Sequence, residues 1–109
     1  RLLSEREALA REREEGRRIY SVAIEGGRRL HRCDLIAEAV DDGPPAAIEV
    51  ELSVKGPARL DLILRSWRRA VAEGRFGGVV YYCSPRAFDG VGRAVERTAT
   101  GAYVRVEEL

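Results

Sequence analysis

Between Ala47 and Cys83 the chain runs through a strand pattern, a long amphipathic helix pattern and an apolar run, and this succession restricts its possible folds more than any other feature. In AIEVELSVK, residues 47 to 55, Ile48, Val50, Leu52 and Val54 alternate with Glu49, Glu51, Ser53 and Lys55. Side chains two apart on a strand share a face, so the spacing predicts one apolar face and one charged face turned to solvent or a polar cleft. Lys55-Gly56-Pro57 breaks that strand, and Pro57 suits the first turn of a helix. Leu60, Ile63, Leu64, Trp67 and Val71 then recur at spacings of three and four until Gly74, one buried stripe with Arg59, Arg65, Arg68 and Arg69 turned elsewhere. Trp67 belongs to that stripe and reads as core rather than as a platform for a base. GVVYYC, Gly78 to Cys83, is nearly continuous in apolar character and suits a strand buried on both faces, as parallel strands are.

Upstream, Ser4 with Glu7 three residues on makes a capping box, and helix formers continue to Glu15 before Gly16 stops them. Arg17 to Ile24 is short and β-rich. Gly26-Gly27 supplies a tight turn into a second strand over about Arg28 to Val40, and the turn Asp41-Asp42-Gly43-Pro44-Pro45 leads into AIEVELSVK. The three strands are expected to form an antiparallel meander. Downstream, Pro85 to about Thr98 reads as a helix interrupted by Gly90 and Gly92, and Ala102 to Glu107 as a last strand. The order is αβββαβαβ, an α/β class. A chain of 109 residues buries one core, so residues 1–109 are read as a single domain. Its start at Arg1 rather than Met is expected of a piece excised from a longer chain, with an N-terminal region missing.

No apolar run approaches the roughly 20 residues that span a bilayer, so no membrane partner is expected and the cytoplasm is the default location. Of the 19 basic residues only Lys55 is lysine, a skew that reflects genome composition more than nucleic-acid binding. The net charge of +1 argues against a protein that coats DNA nonspecifically, yet it allows a local basic face. Cys33 and Cys83 do not make a disulfide framework, and His31-Arg32-Cys33 lacks the ligands of a zinc site.

Across the turn at residues 41 to 45, a regular hairpin places Asp34 opposite Glu49 to Glu51, with facing Cβ atoms about 4.5–5.5 Å apart. Three carboxylates gathered on one face resist joint ionisation unless a cation sits among them. Mg²⁺, or Mn²⁺ in its place, fits, because it takes one or two carboxylates and keeps waters that a substrate phosphate replaces. Asp34, Glu49 and Glu51 are therefore the candidate metal ligands. Lys55 shares their face and either neutralises charge on a phosphate or balances the carboxylates. Arg65, Arg68 and Arg69 are candidates for DNA phosphate contacts.

Asp34 after Cys33, then Glu49-Val50-Glu51 with fourteen residues between Asp34 and Glu49, on an αβββαβ order, resembles the restriction-endonuclease-like superfamily with its PD-(D/E)XK signature. More narrowly, SEREALARERE, LHRCDLIAE, IEVELSVKGPARLDLILRSWRRA and GVVYYC resemble the replication-relaxation family of plasmid and mobile-element proteins. The resemblance covers nearly the whole chain. It implies a central mixed sheet flanked by helices and metal-dependent phosphodiester hydrolysis on DNA, with Asp34 and Glu49 as metal carboxylates. Glu51 stands where the superfamily usually has lysine, although some members use Glu there, and Cys33 stands for the usual proline. Lys55 lies about 13 Å along the strand from Glu51, which suits a neighbouring phosphate better than the lysine role. The first helix of the superfamily often adds a carboxylate, for which Glu5, Glu7 and Glu12 are the candidates. The expected function is a DNA endonuclease or nickase linked to plasmid or mobile-element replication or mobilisation. The alternatives are a nuclease-fold module without catalysis, for DNA binding or protein assembly, and a structural sheet domain. The expected partners are DNA and, in a homodimer, a second copy.

Overall fold

The computed structural model describes residues 1–24, 28–53 and 56–109. In chain order the elements are β1 (Leu2–Ser4), α1 (Glu5–Glu15), β2 (Ser21–Ile24), β3 (Arg29–Arg32), β4 (Leu35–Ala37), β5 (Ala46–Glu51), α2 (Pro57–Ala72), β6 (Gly78–Cys83), α3 (Pro85–Thr98) and β7 (Val104–Glu108). The fold is α/β, with a five-stranded mixed sheet in the order β1-β4-β5-β6-β7. β1, β4 and β5 pair antiparallel, while β5, β6 and β7 pair parallel through the crossover helices α2 and α3. Both crossovers advance in one direction across the sheet, and right-handed connections then place both helices on the same face.

One in-register row positions everything else. Leu3, Ile36, Ala47, Val79 and Val104 lie side by side across all five strands, and each is buried beneath the helical layer. Leu60, Ile63, Leu64, Trp67 and Ala70 of α2 fill the space above it, with Trp67 edge-on to Phe76. The stripe predicted for this helix, Trp67 included, is the core. Short β2 and β3 form a separate antiparallel pair that packs on α2, where the Ser66 hydroxyl donates to the Ala23 carbonyl.

Helix boundaries follow the local signals. Ser4 and Glu7 make the reciprocal capping box, and Gly16 closes α1 at φ 68°, a left-handed conformation that costs glycine nothing. Pro57 opens α2. Gly90 and Gly92 do not interrupt α3, which runs unbroken from Pro85 because Ala87, Val91, Ala94 and Val95 bury one continuous stripe. Packing of that stripe outweighs a propensity penalty of about 1 kcal/mol per glycine.

Four expectations are corrected. The strand expected over Arg28 to Val40 is two strands in two different sheets, with Cys33-Asp34 between them, so the three-strand meander does not exist as one sheet. Asp34 is the cause: its side chain accepts from the Val50 backbone N–H at 2.7 Å, ending the regular ladder and releasing β3 to follow α2. Leu2–Ser4 is an additional strand, too short for any periodicity to show. The faces of β5 are also reversed. Ala47 belongs to the core row, so Glu49 and Glu51 are buried and Val50 is exposed. Finally, β6 is covered on one face only: Val79, Tyr81 and Cys83 are buried, whereas Tyr82 is 37% exposed. The Gly26-Gly27 turn lies outside the described residues, as does Lys55.

The anchor between α1 and the small sheet is Glu12, buried at 7% exposure. One oxygen accepts from the Ile19 and Tyr20 backbone N–H groups at 2.7 and 2.8 Å, and the other from Arg32 at 2.7 Å. Burial pushes this carboxyl up, but the two N–H groups and the guanidinium outweigh it and hold it below its ordinary value. A depressed acid contributes stability above its unfolded value and loses it as pH falls. Glu12→Gln is expected to lower unfolding free energy at pH 7 by about 1–3 kcal/mol and to shrink the loss of stability below about pH 4.5, as read from urea unfolding at both pH values.

Candidate functional site

The buried acids lie at the carboxyl ends of the parallel strands, the end of an open α/β sheet at which ligands bind. Glu49 is 3% exposed and Glu51 6%. Parity places both on the helix-covered face of β5, where Glu49 is level with Tyr81 and Glu51 with Cys83. The end of β5 is tied to the start of α3 by its N-cap Ser84, whose N–H donates to the Glu51 carbonyl and whose hydroxyl donates to the Leu52 carbonyl.

His31, the one histidine of the chain, is drawn into the site from β3. Its Nε2 lies 2.5 Å from Glu49 Oε2, with only 13% and 4% of the two side chains exposed. Trp67 meets the imidazole edge-on at a centroid distance of 6.0 Å and donates its indole N–H to the Tyr81 hydroxyl at 3.3 Å. Glu49 thus sits among one imidazole, one indole and one phenol, a rigid wall that fixes the carboxylate in place.

Asp34 continues the β4 register toward Glu49, and its N–H donates to the Ile48 carbonyl at 3.1 Å. Its own carboxylate is exposed and holds the backbone of Val50, the residue between the two glutamates. Two of the three sequence-predicted acids therefore share one buried face, and the third braces their strand from the break. Among the described residues no group of three or more His, Cys, Asp or Glu side chains converges as a metal cage.

The acids dominate the local field. Burial, and then the Glu49 charge, push the Cys33 thiol up to about 12, with Asp34 adding to the effect. Burial and Glu51 raise Cys83 to about 11. Burial and Glu49 likewise hold the Tyr81 phenol well above its ordinary value. Against this stand two helix N-termini. α2 and α3 start just beyond β5 and β6, and neither has an acidic residue in its first turn, whereas α1 has Glu5 and Glu7 there. Arg59 and Arg86 occupy those turns and are exposed. The Ser84 hydroxyl caps α3 by accepting from the Ala87 N–H, whereas α2 starts at Gly56 without a side-chain cap, so the positive end of its dipole is the more open to an anion.

The other candidates are dispersed. Arg65 and Arg69 are exposed on α2, while Arg68 turns to the end of α3, donating to the Tyr103 hydroxyl at 3.1 Å and to the Thr98 carbonyl. Glu12 is committed to backbone N–H groups and Arg32, Glu7 to the cap, and Glu5 is exposed. His31 is the site residue that sequence reasoning set aside. It lies eighteen positions from Glu49 and in the other sheet, so no periodicity links them. No family model, curated protein or solved structure matches the chain.

Two outcomes are expected. His31→Ala removes a hydrogen bond to a buried carboxylate and lowers stability by about 1.5–3 kcal/mol in chemical denaturation. The raised thiols favour the folded state below their ordinary value of 9.0, and that contribution is lost as pH climbs through about 11 and about 12. Thermal stability should therefore fall from about pH 9 upward, and both thiols should resist Ellman's reagent at about pH 8 until the chain unfolds.

Proposed function

We propose that the chain is a divalent-metal-dependent phosphodiesterase domain, nicking or cutting DNA in plasmid or mobile-element replication or mobilisation. The observation that carries the reading is the burial of Glu49 and Glu51 side by side on the covered face of one strand. Each buried carboxylate opposes folding by several kcal/mol before its partners are counted, and an apolar residue at either position would serve the core better. A fold keeps such a pair where chemistry needs it.

The donors fit a hard cation. Mg²⁺ is held by one or two carboxylates, with waters and substrate phosphate completing its octahedron, so a three-residue protein cage is not required. Glu49 and Glu51, with Asp34 at the neighbouring break, supply carboxylate oxygens at one end of the sheet. When bound, Mg²⁺ or Mn²⁺ supplies a Lewis acid and a water of lowered pKa. The chain's own residues do the positioning. Asp34 fixes the backbone between the two glutamates, His31 holds Glu49, and the N-termini of α2 and α3 with Arg59 and Arg86 offer a landing for phosphate. Arg65 and Arg69 extend this surface as nonspecific backbone contacts. The working compartment is then the cytoplasm, where the free thiols Cys33 and Cys83 stay reduced.

A second reading, a nuclease-fold module without catalysis that binds DNA or assembles proteins, draws support from the same site. The His31 contact engages an oxygen of Glu49, and Glu51 stands in the position of the superfamily's lysine.

Supercoiled plasmid with Mg²⁺ or Mn²⁺ separates the two. The enzyme should convert it to open circles, and Asp34→Ala and Glu49→Ala should each reduce the rate by about a hundredfold. Retained plasmid binding with no nicking and no calorimetric heat from either metal would establish the second reading instead.

A further inference from the structure

Among the described residues, helices cover only one face of the five-stranded sheet. In-register neighbours on the other face are Ser4, Leu35, Ile48, Val80 and Arg105 in one row, and Val50, Tyr82 and Glu107 in the next. Leu2 is 55% exposed, Val50 40% and Tyr82 37%, and Leu35, Ile48 and Val80 are half-buried. Antiparallel sheets often leave one face to water, but that face is then polar. This one is apolar through its centre, and β5, β6 and β7 are parallel strands, which are ordinarily covered on both sides. A contiguous apolar patch rimmed by charge marks an interaction surface.

We propose that this bare face docks onto the same face of a second copy of the chain, sheet on sheet. The charges at its border point to that occupant. Arg105 and Glu107 stand two residues apart on β7, on the bare face, and bridge to each other at 2.6 Å while remaining 74% and 43% exposed. A two-fold axis running across the strands lays β7 antiparallel over its counterpart, so that Arg105 of each copy meets Glu107 of the other. An isologous interface requires this self-complementarity, and here one strand carries both halves of it. Exchanging the internal bridge for two intermolecular ones sacrifices little, because an exposed pair contributes little. The apolar rows then interdigitate at the separation of about 10 Å usual for packed sheets.

Strands of three, three, six, six and five residues, at about 3.3 Å per residue and about 4.8 Å between strands, present a face of roughly 360 Å². The pair buries about 700 Å², below the roughly 1,000 Å² of a stable specific interface, so the association is weak and transient, with a dissociation constant on the order of 100 µM or more. The proposal does not depend on the catalytic reading, since the acids lie on the opposite face of β5.

Sedimentation equilibrium from about 1 µM to about 1 mM tests it. The mass should rise from monomer to dimer. Val50→Lys and Tyr82→Lys should hold the chain monomeric throughout, with circular dichroism unchanged. Arg105→Glu alone should weaken the dimer by about tenfold, and Arg105→Glu combined with Glu107→Arg should restore it. A monomer at every concentration overturns the proposal and leaves the face to another protein or another segment. A dimer indifferent to Val50→Lys and Tyr82→Lys overturns it as well, and failure of the charge swap to restore association overturns the two-fold pairing.

Discussion

The structure depends on the parity of β5. Ala47 has to lie in the row Leu3, Ile36, Ala47, Val79 and Val104, because that row is where the helical layer rests on the sheet. Side chains alternate strictly along a strand, so placing Ala47 inward places Glu49 and Glu51 inward too and turns Ile48 and Val50 outward. The apolar content of β5 alone would favour the opposite parity. The neighbours decide: Val79, Tyr81 and Cys83 of β6 lie on the same face as Glu49 and Glu51 and are buried, whereas Val50 and Tyr82 on the other face are exposed. The acids are buried as a consequence of the fold's strongest packing requirement, and the charge they bring must be met locally.

Asp34 makes that possible. By taking the Val50 N–H it ends β4 and frees β3 to fold over α2, and this places His31 above the sheet, where it meets Glu49. A straight strand from Arg28 to Val40 would have kept His31 in the sheet plane. The same break puts Arg32 within reach of Glu12, which secures α1 to the small sheet. One side chain to backbone hydrogen bond thus couples the position of the first helix to the surroundings of the candidate acids. It also accounts for the double role of Asp34, both a sequence-level ligand candidate and a structural brace.

The two faces of the sheet divide the protein's chemistry. The covered face carries the acids, the thiols and the aromatic wall, and burial there pushes the Cys33 and Cys83 thiols and the Tyr81 phenol up. The bare face carries aliphatic side chains and Tyr82, with one charge pair at its rim. Because strands alternate, every residue that strengthens one face leaves its neighbour to the other, and the apolar run of β6 supplies both.

Much of the architecture was legible in the sequence because its signals are local. The capping box at Ser4 and Glu7, the stops at Gly16 and Gly74, Pro57 at a helix start and the stripe around Trp67 involve residues within a turn or two of one another. The α/β class followed from their order. Asp34, Glu49 and Glu51 could be singled out as an unusual concentration of acid, and the approach of Asp34 to the middle of β5 was anticipated from the turn between them. The inward parity of Glu49, the break at Asp34 and the partnership of His31 were not legible. Alternation within β5 determines which residues share a face but not which face is inside, and that choice belongs to strands and helices brought together only by folding.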